Sequence, residues 1–66
     1  MIEVYLTEGT SGDGPAYVVS FHDGAMPAHK TESYETIEEA QAAIDPSRWM
    51  QPLDDMDNDV LLYALI

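Results

Sequence analysis

Cysteine is absent from this 66-residue sequence, so the chain can form no disulfide and offers neither a thiolate zinc site nor thiol chemistry. Basic residues are nearly absent too, because Lys30 and Arg48 are the only two. No basic start precedes a long apolar core, and no stretch approaches the roughly 20 apolar residues that span a bilayer. These absences predict a single domain over residues 1–66, located in a reducing cytoplasm, without a targeting or membrane segment.

Acidic residues dominate the composition, because thirteen Asp and Glu residues give a formal net charge of −11. Such an excess repels itself in the compact state, argues against direct binding of nucleic acid, and favours positively charged partners. A chain that is 45% hydrophobic and regularly patterned is nevertheless expected to fold. The alternative is a small acidic protein whose negative charge serves solubility alone.

The first half of the chain has the pattern of β-strands. Apolar and polar residues alternate over 2–7, which predicts a strand with one buried face. The glycines and proline of "TSGDGP" at 10–15 predict a hairpin loop, and "AYVVSF" at 16–21 predicts a second strand. The positions predicted to face inward are Ile2, Val4, Leu6, Tyr17, Val19 and Phe21.

A second connection follows at Asp23-Gly24, a common hairpin dipeptide, although Met26 and Pro27 indicate a link longer than two residues. A third, more polar strand is predicted over "HKTESY" at 29–34.

A helix is then predicted to begin at Thr36, which stands three residues before Glu39 in a capping-box pattern. Asp45 should end this helix, because the residue before Pro46 avoids helical backbone angles. One apolar stripe is expected on the helix. Its members are Ile37, Ala40 and Ile44.

The last third combines an irregular connector with an apolar terminus. Residues 47–53 are predicted to place Trp49, Met50 and Leu53 over one end of the core. "VLLYALI" at 60–66 suits either a buried strand or a helix, and its shortness favours a strand. The predicted fold is α+β, with the order β-β-β-α-β: a small antiparallel sheet of three or four strands with one helix packed on one face.

That single short helix can cover only part of the sheet. Apolar groups on the other face, such as Tyr5, Tyr63 and one row of residues 61–66, are therefore expected to be exposed for a dimer or a partner.

The aspartate run at 54–59 partly matches a calcium-binding loop. Asp55, Asp57 and Asp59 match the first, third and fifth positions of an EF-hand loop. The sixth position, however, is Val60 instead of glycine, and the twelfth is Ile66 instead of a bidentate acid. No dedicated calcium site is predicted.

Candidate catalytic groups are few. His22, Asp23 and His29 form a histidine-containing cluster, and two histidines beside a turn are more often solvent-exposed polar residues than ligands or proton carriers. "GTSGDG" at 9–14 matches neither a P-loop nor the dinucleotide fingerprint. We therefore predict no catalytic residues, no metal and no cofactor.

The acids near the helix are the strongest functional signal. On a helical wheel Glu35, Glu38 and Glu39 share an outward face, and the helix dipole accounts for only part of this arrangement. It does not account for Glu35 and Glu39, which stand four residues apart and repel each other with no cation nearby. The predicted partner-binding residues are Glu32, Glu35, Glu38, Glu39, Asp54, Asp55, Asp57 and Asp59.

In its small size, lack of cysteine, strong acidity and strand–helix layout, the chain resembles the small inhibitors of phages and mobile elements. Particularly similar are the anti-CRISPR proteins of type I systems and other DNA mimics. The resemblance implies a non-catalytic inhibitor in a bacterial host cell that blocks the DNA-binding site of a type I CRISPR effector subunit or another basic nucleic-acid-binding protein.

The residues by themselves predict only an acidic binding module, a monomer or weak dimer without nucleic acid or membrane contact. The alternative is a generic small protein-interaction or assembly module that uses its apolar C-terminal strand.

Overall fold

The computed structural model describes residues 1–12, 14–24, 30–56 and 58–66, which contain four strands and one short α-helix. The chain order is strand, strand, strand, helix, strand, which confirms the predicted α+β class. The elements are β1 (Ile2–Ser11), β2 (Gly14–Asp23), β3 (Lys30–Tyr34), α1 (Ile37–Gln41), a 3-10 helix (Pro46–Arg48) and β4 (Val60–Leu65).

The four strands form one antiparallel sheet in the order β3-β2-β1-β4. The chain crosses from the β3 edge to the opposite edge through α1 and the connector, and β4 then pairs with β1. At the end of this pairing, Ile2 and Ile66 exchange two backbone hydrogen bonds of 2.8 and 2.9 Å. The apolar terminus is thus a strand, as its shortness predicted.

The core lies between one face of this sheet and α1. The alternation predicted for the first two strands is confirmed, because Val4, Leu6 and Val19 are completely buried and Phe21 nearly so. Partly buried side chains from the connector and from α1 complete the layer. The buried cluster consists of Val4, Leu6, Val19, Phe21, Ala40 and Ala64.

The first hairpin is longer than predicted. Pairing between β1 and β2 continues to Ser11 opposite Gly14, so the connection spans residues 12 and 13 instead of 10–15. Gly12 makes the tight reversal possible with a φ of 52°, a region that residues with a Cβ rarely adopt. Gly24, with φ 70°, follows β2 directly. Residues 25–29, which include the predicted start of β3, lie outside the described ranges.

The helix is shorter than predicted, ending at Gln41 instead of Asp45. Its start is as expected, because Thr36 Oγ1 accepts a hydrogen bond of 3.2 Å from the backbone N–H of Glu39. Its end comes early: the carbonyl of Gln41 accepts a hydrogen bond of 2.9 Å from the indole N–H of Trp49, and Asp45 caps the 3-10 helix that follows. Residues 42–44 form a turn between the two helices. No helix in the described ranges has the length and apolarity to cross a membrane.

The connector covers the core with only one of its three large apolar side chains. Trp49 packs against the buried cluster, whereas Met50 and Leu53 are 41% and 54% exposed. The prediction that all three cover the core is therefore wrong for Met50 and Leu53. Met50 forms a two-way backbone bridge with Tyr63, and neighbouring residues of an extended segment point to opposite sides.

Candidate functional site

The two acidic stretches of the sequence come to the same end of the sheet. Tyr17 in β2 pairs with Glu8 in β1 on one side and with Tyr34 in β3 on the other. The backbone N–H of Glu8 donates a hydrogen bond of 3.0 Å to the carbonyl of Asp59. Glu35 directly follows Tyr34, so Glu35 and Asp59 flank one row of residues that runs across the sheet.

These acids lie at opposite edges of that end. The strands β3 and β4 are separated by β2 and β1, and three strand spacings amount to about 14 Å. This separation exceeds the Debye length of about 8 Å at physiological salt, so the two groups act as separate patches of charge. It is also close to the width of the major groove of B-DNA, about 12 Å.

We call Glu35, Glu38 and Glu39 the glutamate cluster, and Asp54, Asp55 and Asp59 the aspartate cluster. All six side chains are exposed. Asp57, which was also predicted to bind a partner, lies outside the described residues. Within the described part of the chain the one salt bridge joins Lys30 to Glu32, so neither cluster contains a neutralised carboxylate there.

Glu32 differs from the other predicted partner-binding residues because its carboxylate is engaged within β3. Lys30 Nζ lies 3.3 Å from Glu32 Oε1, and the hydroxyl of Tyr34 donates a hydrogen bond to Glu32 Oε2. The Tyr34 hydroxyl and then Lys30 lower the pKa of Glu32. The strand pattern contained this signal, since residues 30, 32 and 34 alternate onto one face.

The glutamate cluster is not arranged as the helical wheel suggested. Thr36 has extended backbone angles, φ −127° and ψ 155°, so Glu35 precedes the helix. The predicted helical repulsion between Glu35 and Glu39 is therefore wrong in its geometry. Glu38 and Glu39 occupy the first turn of α1, where carboxylates are favoured by the exposed N–H groups.

The described residues contain no group of three or more His, Asp or Glu side chains that could hold a metal ion. His22, a member of the candidate histidine cluster, lies in β2 and contacts the Tyr5 ring edge to face, with ring centroids 5.4 Å apart. His29, the other histidine, lies outside the described ranges.

No family model, curated protein or solved structure matches the chain.

A second surface lies on the side of the sheet opposite α1. Tyr5 and Tyr63 are directly paired there. The sequence predicted both rings to be exposed on this face, whereas both are half-buried because each packs beside the other in neighbouring strands. Met50 continues the row by its bridge to Tyr63, a contribution that the apolar pattern of the connector did not indicate. We call this surface the open face. Its central residues are Glu3, Tyr5, His22, Met50, Tyr63 and Leu65.

Proposed function

We propose that this protein is a non-catalytic inhibitor whose acidic surface imitates nucleic acid and blocks the DNA-binding site of a basic protein. A CRISPR effector of type I is the target class favoured by the resemblance in size, charge and layout, and the site of action is then the cytoplasm of a bacterial host. The observation that carries the proposal is that two groups of exposed carboxylates, reached through Glu35 and Asp59, start from opposite edges of one end of the sheet.

The electrostatic repulsion among the clustered carboxylates supports a role in binding. Within each cluster the exposed carboxylates repel each other, and no salt bridge within the described residues relieves them. The fold does not require four of the six: the aspartate cluster lies in turns before β4, and Glu35 precedes the helix cap, whereas Glu38 and Glu39 are favoured in the first turn of α1. Charges that local structure does not need are explained by an external cationic partner.

The spacing of the clusters favours a partner that binds nucleic acid. Glu35 and Asp59 follow strand edges about 14 Å apart, so negative charge stands on both sides of this end of the sheet, as it does on the two sides of a DNA groove. Lys and Arg side chains placed to contact phosphates also form charge-assisted hydrogen bonds with carboxylates. Long-range electrostatic attraction speeds the encounter of the two proteins. An inhibitor that occupies the DNA-binding site in this way needs no catalytic residues.

The open face supports the second candidate function, a protein-interaction or assembly module. Strand addition is hindered at β4, because Met50 already uses both the N–H and the C=O of Tyr63. Within the described residues β3 pairs only with β2, but its five residues include the Lys30–Glu32 ion pair, and charged side chains protect an edge from added strands. A module of this kind would therefore bind through the face of the sheet.

Capture from a bacterial lysate at two salt concentrations separates the two functions. The tagged protein is incubated with lysate at about 0.05 M and about 0.5 M sodium chloride, where the Debye lengths differ about threefold. Bound proteins are identified by mass spectrometry. A nucleic-acid-binding protein that high salt releases, and that DNA displaces in competition, supports mimicry. A partner that resists both salt and DNA supports the interaction module.

A further inference from the structure

The open face combines aromatic rings with a carboxylate. Tyr5 lies beside Tyr63 in the neighbouring strand, and the His22 ring meets Tyr5 at 80°. Glu3 stands two residues before Tyr5 and so shares its face. The Tyr5 hydroxyl donates a hydrogen bond of 2.7 Å to Glu3 Oε2. This bond holds the carboxylate along the edge of the aromatic rings.

The second oxygen of Glu3 is available to a ligand. The side-chain hydrogen bonds among the described residues use only Oε2 of this carboxylate, and Glu3 is exposed. No lysine or arginine lies among the residues of the open face, because Lys30 pairs with Phe21 on the core side and Arg48 belongs to the 3-10 helix. The face therefore offers aromatic surface and negative charge together.

The charge of the chain restricts what can cover this face. A second copy, a nucleic acid and an anionic membrane all carry the same sign as a protein of net charge −11. A purely apolar partner would leave the Glu3 carboxylate buried and unpaired, which is costly. The complementary occupant is a cationic protein segment whose charged group also has a flat apolar surface.

We propose that the open face binds an arginine side chain of a partner protein, stacked on Tyr5 and Tyr63 and hydrogen-bonded to Glu3. Guanidinium is planar, stacks on aromatic rings and donates in a fixed fork to a carboxylate. Lysine has a compact, strongly hydrated ammonium and stacks less well. The site is separate from the glutamate and aspartate clusters, so it does not depend on the proposed mimicry.

NMR titration with two probe peptides tests the site. Nona-arginine and nona-lysine carry the same charge, so the long-range attraction to the acidic clusters is matched, and the Glu3 variant reports the part of any arginine preference that comes from the open face. At about 0.15 M salt we expect nona-arginine to bind at least fivefold more tightly and to shift the ring signals of Tyr5 and Tyr63. Glu3→Gln should reduce this preference below twofold, whereas Glu38→Gln, which removes the same charge elsewhere, should preserve it.

Three outcomes overturn the proposal. Equal affinity for the two peptides shows that the face does not select arginine, and shifts confined to the acidic clusters show that the rings do not take part. Shifts of Tyr5 and Tyr63 that depend on protein concentration without peptide assign the face to a second copy. Glu3→Gln replaces one oxygen of an exposed side chain by an amide nitrogen, so we expect this variant to keep the NMR spectrum of the folded parent and to allow the comparison of peptide affinities.

Discussion

The indole N–H of Trp49 donates a hydrogen bond of 2.9 Å to the backbone carbonyl of Gln41, the last residue of α1. This bond satisfies a carbonyl that the end of a helix leaves without an intrahelical partner. Trp49 also packs against the buried cluster beside a helix of only five residues. The indole therefore extends the cover of the core beyond the end of α1.

Replacement of this indole should be costly for so small a domain. We expect Trp49→Phe to lower the free energy of unfolding by about 1–2 kcal/mol, because a hydrogen bond worth about 1 kcal/mol and part of the buried ring are lost. Urea denaturation followed by far-UV circular dichroism measures the change. Leu53→Ala is the control, since Leu53 is exposed and its loss should cost under about 0.5 kcal/mol. Equal effects of the two substitutions would refute this role of Trp49.

The hydrogen bond of the helix cap at Thr36 should also contribute measurably to the stability of so small a domain. Thr36→Ala removes the oxygen that accepts from Glu39 N–H, and we expect a loss of about 1 kcal/mol in the free energy of unfolding. Thr36→Ser keeps that oxygen and should stay within about 0.5 kcal/mol of the parent. The measurement is the urea midpoint of both variants, together with the amide shift of Glu39. If serine and alanine behave alike, the cap does not stabilise α1.

The parts of the fold that the sequence predicted are those that local patterns impose. Burial of one sheet face requires a period of two, which the residues around Val4 and Val19 show plainly. The end of α1 was not predictable in the same way, because the indole of Trp49, eight residues further on, binds the Gln41 carbonyl. Helix length here depends on a tertiary contact that no pattern within residues 36–45 contains.

The candidate site shows the same division. The exposure of the acids follows from their charge and was predicted. That Glu35 and Asp59 lie at the same end of the sheet follows from the strand order, which was not predicted. That order depends on β4 pairing with β1 over more than fifty residues of chain, as Val4 does with Ala64. Apolar patterns identify the strands of a sheet and do not specify which strands are neighbours.

Salt should stabilise the protein. Screening weakens repulsion among thirteen acids, while the single salt bridge of the described residues, Lys30–Glu32, is exposed and has little to lose. We expect the melting temperature to rise between about 0.02 M and about 0.5 M sodium chloride, by about 4–8 °C for each 1 kcal/mol gained. Tetramethylammonium chloride should act alike, because screening does not depend on specific cation binding. A flat or falling melting temperature would show that the charges are already compensated.

The hydrogen bond to Glu3 should control the titration of Tyr5. The hydrogen bond to Glu3, and secondarily burial, raise the pKa of Tyr5 above the usual value of about 10. Folding thus favours the protonated phenol, so this contribution to stability is present below the ordinary tyrosine pKa and is lost as pH rises through the folded pKa. Glu3→Gln should lower the pKa of Tyr5, as measured by NMR of the Tyr5 ring.

A matched pair of residues provides the control for that titration. Glu32 accepts the hydroxyl hydrogen bond of Tyr34 and raises its pKa in the same way. Glu3→Gln should leave Tyr34 unchanged, and Glu32→Gln should lower the pKa of Tyr34 without affecting Tyr5. If either substitution moves both tyrosines, the shifts come from the overall charge of the protein and the individual hydrogen bonds are not their cause.

Charge reversal tests the proposed mimicry most directly. Lysines in place of the three residues of the glutamate cluster, or separately of the aspartate cluster, change only exposed side chains. Lysines at Glu38 and Glu39 are disfavoured at the start of α1, so a circular dichroism spectrum like that of the parent is required of each variant before it is compared. If the clusters imitate phosphates, each triple variant loses attraction and gains repulsion toward the basic groove. We expect inhibition of the captured nucleic-acid-binding target to weaken by well over tenfold, chiefly through slower association at low salt. Titration of target activity with inhibitor measures the change.

Single substitutions show whether inhibition depends on where a negative charge lies or only on the net charge of the protein. Asp23 is exposed at the far end of the sheet, where it pairs with Ile2, so Asp23→Lys alters the net charge as Glu38→Lys or Asp55→Lys does. Mimicry by the two clusters predicts a several-fold loss for the latter two and a much smaller one for Asp23→Lys. Tyr63→Asp provides the opposite contrast, because it changes the open face and leaves both clusters in place. If both lysine triples inhibit like the parent while Tyr63→Asp fails, the acidic clusters are not the binding surface, and recognition through the sheet face takes their place.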